Sequence, residues 1–166
     1  MNIVLHEPEI PANTGNIGRT CAAVGAALHL IKPLGFSIDD KTLKRAGMDY
    51  WPLLSVSVYE NFEDFILKKQ PQIIFMSTTK AKKCYAEINY PAGAYIMFGK
   101  ESAGIPEEIL LKHQRTAIRI PMLDAARSLN LSSSVAVVLY EALRQNNFSG
   151  LQKTGELHRN KWDENL

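Results

Sequence analysis

Residues 120–141, IPMLDAARSLNLSSSVAVVLYE, decide how this chain is to be read. The stretch opens as the end of a strand. Ala117, Ile118 and Ile120 make a short apolar run, and Pro121 halts it, because proline lacks the N–H a ladder bond needs and restricts the residue before it. From Leu131 the apolar side chains recur at Val135, Val138, Leu139, Ala142 and Leu143, a spacing that predicts a helix with one buried face. Between the two, Arg127, Ser128, Asn130 and Ser132 to Ser134 supply more hydrogen-bonding capacity than a connection needs. One of these residues is expected to cap the helix, which leaves the others for a ligand.

The rest of the chain repeats the same grammar. Residues 2–5 read as a strand, followed by the turn-rich HEPEIPANTGN and a helix that Asn13 or Thr14 can cap and that ends near Gly25. Residues 28–31 form the next strand, stopped by Lys32-Pro33. A short polar helix over residues 39–45 and the aromatic segment MDYWPL at 48–53 follow, then a strand over 54–59 and a helix capped by Asn61. Residues 73–76 are a continuous apolar run, the pattern of a parallel strand covered on both faces. Residues 94–98 read likewise, and Pro106 opens a short helix. Strands alternating with helices imply an α/β fold with a mostly parallel sheet flanked by helices. The signal fades after Asn146, so residues 1–150 read as a single domain and residues 151–166 as a polar C-terminal tail.

The totals agree. A chain of 166 residues with 46% apolar and 22% charged side chains resembles an ordinary globular protein, not a disordered one. A net charge of +2 is too small to identify a partner, so a nucleic-acid reading has to rest on local clusters. The N-terminus carries no basic-then-apolar leader and no long apolar span occurs, which leads us to expect a cytoplasmic protein with no membrane partner. Cys21 and Cys84 form no CxxC pair and are expected to be reduced.

Three polar corners follow predicted strands: residues 13–19, 98–104 and 127–134. Ser77-Thr78-Thr79 makes a smaller fourth, and ligands in open α/β sheets bind at that end of the strands. In the first corner Asn13, Asn16 and Arg19 surround Gly15. An arginine braced this way can bind phosphate through fixed donors, although a turn with a surface ion pair would also account for it. In the second, FGKESAG is neither a dinucleotide fingerprint nor a phosphate loop. Gly99 would let a planar ligand lie on the backbone, and Glu101 could organise the loop or meet a cation. The third has no GxSxG elbow, and His6, His29, His113 and His158 show no triad pattern. His29 alternates within an apolar strand and reads as structural. With neither HExxH nor a cysteine cluster, no dedicated metal is expected. Transfer chemistry whose reactive group arrives with a cofactor remains open.

Taken in order, these corners resemble the signature motifs of the SPOUT superfamily of RNA methyltransferases. PANTGNIGR at 11–19 is similar to the first motif, MFGKESAGIP at 97–106 to the second, and IPMLDAARSLNLSSSVAVVLYEALRQ at 120–145 to the third. LHLIKPLGF at 28–36 and DDKTLKRAGMDYW at 39–51 also look like the family. Within it the likeness is greatest to the small TrmL-type tRNA (cytidine/uridine-2'-O)-methyltransferases that act at the wobble position. The resemblance implies a C-terminal trefoil knot holding S-adenosyl-L-methionine, a homodimer, and tRNA, bound at its anticodon stem-loop, as substrate. It implies cofactor contacts at Ser77, Thr78, Gly99, Glu101, Ile120, Met122, Ser128 and Leu129, with Asn130 and Ser132 shaping the pocket. Arg19, supported by Asn16, would be the catalytic or substrate-positioning residue.

The chemistry implied is transfer of a sulfonium methyl group to the ribose 2'-OH of nucleotide 34, in leucine isoacceptors. It requires in-line positioning and removal of one proton, and no metal. A guanidinium is a weak proton acceptor, so Arg19 is expected to orient a phosphate and stabilise charge on the 2'-oxygen. Lys41, Lys44 and Arg45, and Lys80, Lys82 and Lys83, are two basic clusters that could track RNA or be merely solvated faces. Tyr50 or Trp51 could stack on a base, or pack in the core or a dimer interface. The alternatives are 2'-O-methylation of another tRNA or rRNA nucleotide, a non-catalytic RNA-binding dimer, and a metabolite-binding protein with no RNA partner.

Overall fold

The structure, a computed structural model, describes residues 1–38 and 50–163. The expected helix over residues 39–45 and the cluster Lys41, Lys44 and Arg45 lie outside the described residues. Seven parallel strands make one sheet: β1 (Asn2–His6), β2 (Ala27–Ile31), β3 (Val56–Tyr59), β4 (Ile74–Ser77), β5 (Lys83–Cys84), β6 (Tyr95–Phe98) and β7 (Ala117–Arg119), in the order β3-β2-β1-β6-β4-β7-β5. The helices are α1 (Pro11–Val24), α2 (Phe62–Lys69), α3 (Glu107–Lys112) and α4 (Leu131–Gln145). The first three strands step outward from β1, and the other four occupy its opposite side. The two halves meet where β1 pairs with β6, Leu5 opposite Phe98.

Alternation along each strand sorts the core into two faces. Ile3, Leu5, Ile96, Phe98, Phe75 and Ile118 pack with Ile17 and Cys21 of α1 and with Leu131, Val135, Val138 and Leu139 of α4. Val4, Met97, Ile74 and Met76 face the other way, against Phe62 and Phe65 of α2 and Ile109 of α3. Helices on both faces explain why the strands read as continuous apolar runs. In α4, all six residues of the predicted stripe are buried, and Asn130 is the cap, its side chain accepting from the N–H groups of Ser132 and Ser133. His29 is buried between Tyr59 and Asn2, with Nδ1 3.0 Å from the tyrosine hydroxyl, as its structural reading requires.

The start of α1 differs from expectation. Asn13 and Thr14 do not cap it: the helix begins at Pro11 with Ile10 at the cap position, and both residues are buried inside its first turns. Proline at the first helical position sets φ without needing a donor, so the start moves upstream. The end is as expected, with Gly25 at φ 67° and the Ala26 N–H reaching the Cys21 carbonyl at 2.9 Å. The two-residue β5 was not legible as a strand, because KC among lysines and alanine carries no period. Residues 151–163 form neither helix nor strand; Leu151 packs against the core and the following side chains are exposed.

Candidate active site

A cavity of about 470 Å³ opens at the carboxyl ends of β4, β6 and β7. Its size lies within the range of about 300–1,000 Å³ typical of small-molecule sites. Ser77 and Thr78 come from the exit of β4, Gly99 and Glu101 from the loop after β6, Ile120 and Met122 from the exit of β7, and Ser128 and Leu129 from the corner before α4. Every residue expected to touch the cofactor thus lines this one space. Asn130 lines it as well, whereas Ser132 acts one step back, its Oγ donating to Asn130 Oδ1 at 2.7 Å.

One chain of hydrogen bonds ties the three corners together. Glu101 Oε2 accepts from the Glu9 N–H at 2.8 Å, and Oε1 accepts from the Ile10 N–H at 3.3 Å and from Asn13 Nδ2 at 2.8 Å. Asn13 Oδ1 in turn accepts from Asn130 Nδ2 at 3.0 Å. Glu101 therefore organises the loop, and its carboxylate sits where the N-terminus of α1 favours negative charge. Glu9 returns the contact by accepting from the Ser102 N–H and hydroxyl at 3.0 and 2.8 Å, and these bonds hold its carboxyl below the usual range. Lys100 donates to Glu7 at 2.8 Å, which raises the lysine above its ordinary value. Asn13 is the residue of the first corner that reaches the cavity, a role its helix-cap reading did not anticipate.

Gly99, which lines the cavity, is also required by the packing of its own loop. A Cβ there would overlap the Gly104 carbonyl and the Ile105 nitrogen, so the missing side chain lets the loop close on itself, with the Gly104 N–H donating to the Lys100 carbonyl at 2.8 Å. Asn16 and Arg19 lie elsewhere. Both are exposed on α1, outside the cavity lining, and the Arg19 guanidinium lies 4.9 Å from the centroid of the Tyr50 ring. Among the described residues no salt bridge engages Arg19.

The lining combines apolar walls from Ile10, Phe98, Ile120, Met122 and Leu131 with the hydroxyls and amides named above. Glu101 is the carboxylate in it and is fully engaged. No histidine or cysteine lines it, and among the described residues no group of three His, Cys, Asp or Glu could hold a metal ion. Such a lining can grip a planar heterocycle between apolar side chains and fix its polar edges. Its serine and threonine hydroxyls have no histidine in the lining to serve them as a base, and the arrangement suits a cofactor that carries the reactive group, as S-adenosylmethionine does.

Comparison with known proteins accords with this. An Escherichia coli (strain K12) protein named tRNA (cytidine(34)-2'-O)-methyltransferase is 47% identical over 151 residues, covering 90% of this chain and 96% of that protein. A solved structure described as giving "structural insights into the 2-OH methylation of C/U34 on tRNA" superposes with a TM-score of 0.83 at 41% identity, over 88% of this chain and 95% of that one. An AdoMet-bound rRNA methyltransferase from Sinorhizobium meliloti gives a TM-score of 0.75 at 28% identity, over 86% of this chain and 55% of that one. The SpoU rRNA Methylase family profile matches residues 1–140. The span of that match, with relatives of this identity and coverage, establishes that the chain belongs to the SpoU methylase family.

Proposed function

We propose that this chain transfers the methyl group of S-adenosylmethionine to the ribose 2'-hydroxyl of nucleotide 34 of tRNA, cytidine or a modified uridine, in leucine isoacceptors. The observation that carries the reading is the convergence of Ser77, Thr78, Gly99, Glu101, Ile120, Met122, Ser128 and Leu129 on one cavity. The names of the relatives support the substrate. When bound, the cofactor supplies an electrophilic methyl group. The chain's own work is to hold and orient it: Ser77, Thr78 and Ser128 offer polar partners, and Ile120, Met122 and Leu129 shield it from water. Glu101 keeps the loop after β6 in place.

Arg19 orients the phosphate beside the target ribose and stabilises charge on the 2'-oxygen, with Asn16 in support, while the proton passes to phosphate or water. Because Arg19 stands on α1 outside the cavity of its own chain, the reading requires a homodimer in which α1 of one protomer faces the cavity of its partner. Exposed Val137 and Tyr140 on α4 are available for that interface. A trefoil knot is part of the same reading. It is supported by the path of residues 120–130, which return from β7, beyond β4, to set Asn130 against Asn13. Residues 1–150 form the methyltransferase domain, residues 151–166 its tail, and the enzyme works in the cytoplasm. No helix among the described residues is long and apolar enough to cross a membrane.

The test is methylation of leucine tRNA transcripts by the purified protein with labelled S-adenosylmethionine, followed by mass mapping. Label on the ribose of nucleotide 34 is expected. Label confined to another nucleotide refutes the assigned position, and no label on any RNA from folded, cofactor-binding protein refutes the enzymatic reading.

A further inference from the structure

We propose that the outer edge of the sheet, where β5 lies along β7, is a docking ledge for the ribose-phosphate backbone of an RNA stem; this rests on the tRNA reading above. The register sets Lys83 opposite Ile118 and Cys84 opposite Arg119. Residues far apart in sequence thereby become neighbours: Lys83 Nζ donates to the Arg115 carbonyl at 3.3 Å. Lys82, Lys83 and Arg115 are exposed, and Arg119 is half-buried.

Several of the other cations are each paired with a carboxylate. Lys32 pairs with Glu60, Lys68 with Asp64, Lys80 with Glu107, Lys100 with Glu7 and Arg144 with Glu141. Among the described residues no salt bridge engages Lys82, Lys83, Arg115 or Arg119. Of the carboxylates at this edge, Glu107 is taken by Lys80, and Glu87 accepts from the Cys84 N–H at 3.4 Å. The chain's net charge is only +2, yet these four cations, none of them in a salt bridge among the described residues, stand together along one edge. That edge leads to the cavity, since Thr79 and Lys80 line it just ahead of β5 and Ile120, directly after Arg119, lines it too. Flexible cations on an open edge read phosphate, not base sequence. The competing use of such lysines is to discourage pairing between exposed sheet edges.

The experiment measures binding of leucine tRNA between 50 and 200 mM salt for the wild type and for Lys82→Ala/Lys83→Ala/Arg115→Ala. Each lost phosphate contact lowers the slope of log Kd against log salt by roughly 0.7–0.9, so the triple variant should lose about 2 to 3 from that slope and bind at least about tenfold more weakly at 100 mM. S-adenosylmethionine affinity should hold, and Lys82→Arg/Lys83→Arg should keep the wild-type slope. Should the triple variant fail to fold, Lys82→Ala alone is expected to lose about 1. Wild-type slope and affinity in the variants overturn the ledge, as does a defect confined to self-association in light scattering. A wild type that methylates tRNA while the variants bind it normally sinks the ledge alone. One that neither binds nor methylates tRNA sinks the substrate reading with it.

Discussion

Asn13→Ala would cut the link between the three corners. Asn13 is 6% exposed and uses both ends of its amide, donating to Glu101 Oε1 at 2.8 Å and accepting from Asn130 Nδ2 at 3.0 Å. A hydrogen bond to a charged group contributes about 1.5–3 kcal/mol and a neutral one about 1 kcal/mol. Glu101 keeps its two backbone donors and Asn130 is exposed to water, so the loss should fall near about 2–3 kcal/mol. For a domain of this size that is a fall in Tm of about 4–12 °C. Loosening the two loops that Asn13 holds should also weaken S-adenosylmethionine binding by about tenfold, roughly 1.4 kcal/mol. Asn13→Asp sharpens the argument. It sets a second carboxylate beside Glu101, where two like charges cannot both stay ionised without penalty. The folded pair would then bind a proton more tightly than the unfolded chain, so this variant gains stability as pH falls from 7 toward 5. Urea unfolding at both pH values, with calorimetry of cofactor binding, provides the measurement. An Asn13→Ala protein within about 0.5 kcal/mol of wild type that binds the cofactor normally would refute the reasoning, as would an Asn13→Asp protein more stable than Asn13→Ala at pH 7.

Gly99→Ala should cost at least about 1–3 kcal/mol, because the added methyl meets backbone that cannot turn aside, and it should weaken cofactor binding as the loop opens; normal thermal stability would show that the loop has room. Arg19→Ala should lower kcat for tRNA methylation by about 10²–10³ while leaving S-adenosylmethionine affinity within about twofold, since Arg19 does not line the cavity; single-turnover rates paired with calorimetry decide it. Burial pushes His29 down to about 4 from its ordinary 6.5. The unfolded chain therefore takes up that proton first, and up to about 3 kcal/mol of stability should be lost as pH falls from 6.5 to 4. Unfolding curves for His29→Gln, compared with wild type at pH 7 and 4.5, should show a shallower acid limb.

How far the sequence carries is clearest at the stretch 120–141. The stripe from Leu131 to Leu143 and the stop at Pro121 follow from backbone geometry and a period of 3.6, both local, and the structure keeps them. The apolar runs of β4 and β6 were legible for the same reason: strands covered on both faces need apolar residues at every position. Motif resemblance located the cavity residues, although it could not say what held them there. The tertiary structure decided what depends on contact between distant residues. Asn13 turned from an expected cap into the bridge between Glu101 and Asn130, 88 and 117 positions away. Gly99 proved to be required by Gly104 and Ile105, Arg19 stood apart from its own cavity, and β5 existed only through its pairing with β7. Local propensity fixes how each element begins and ends. Which polar groups find one another is set by how the sheet brings its loops together, and no window of sequence contains that.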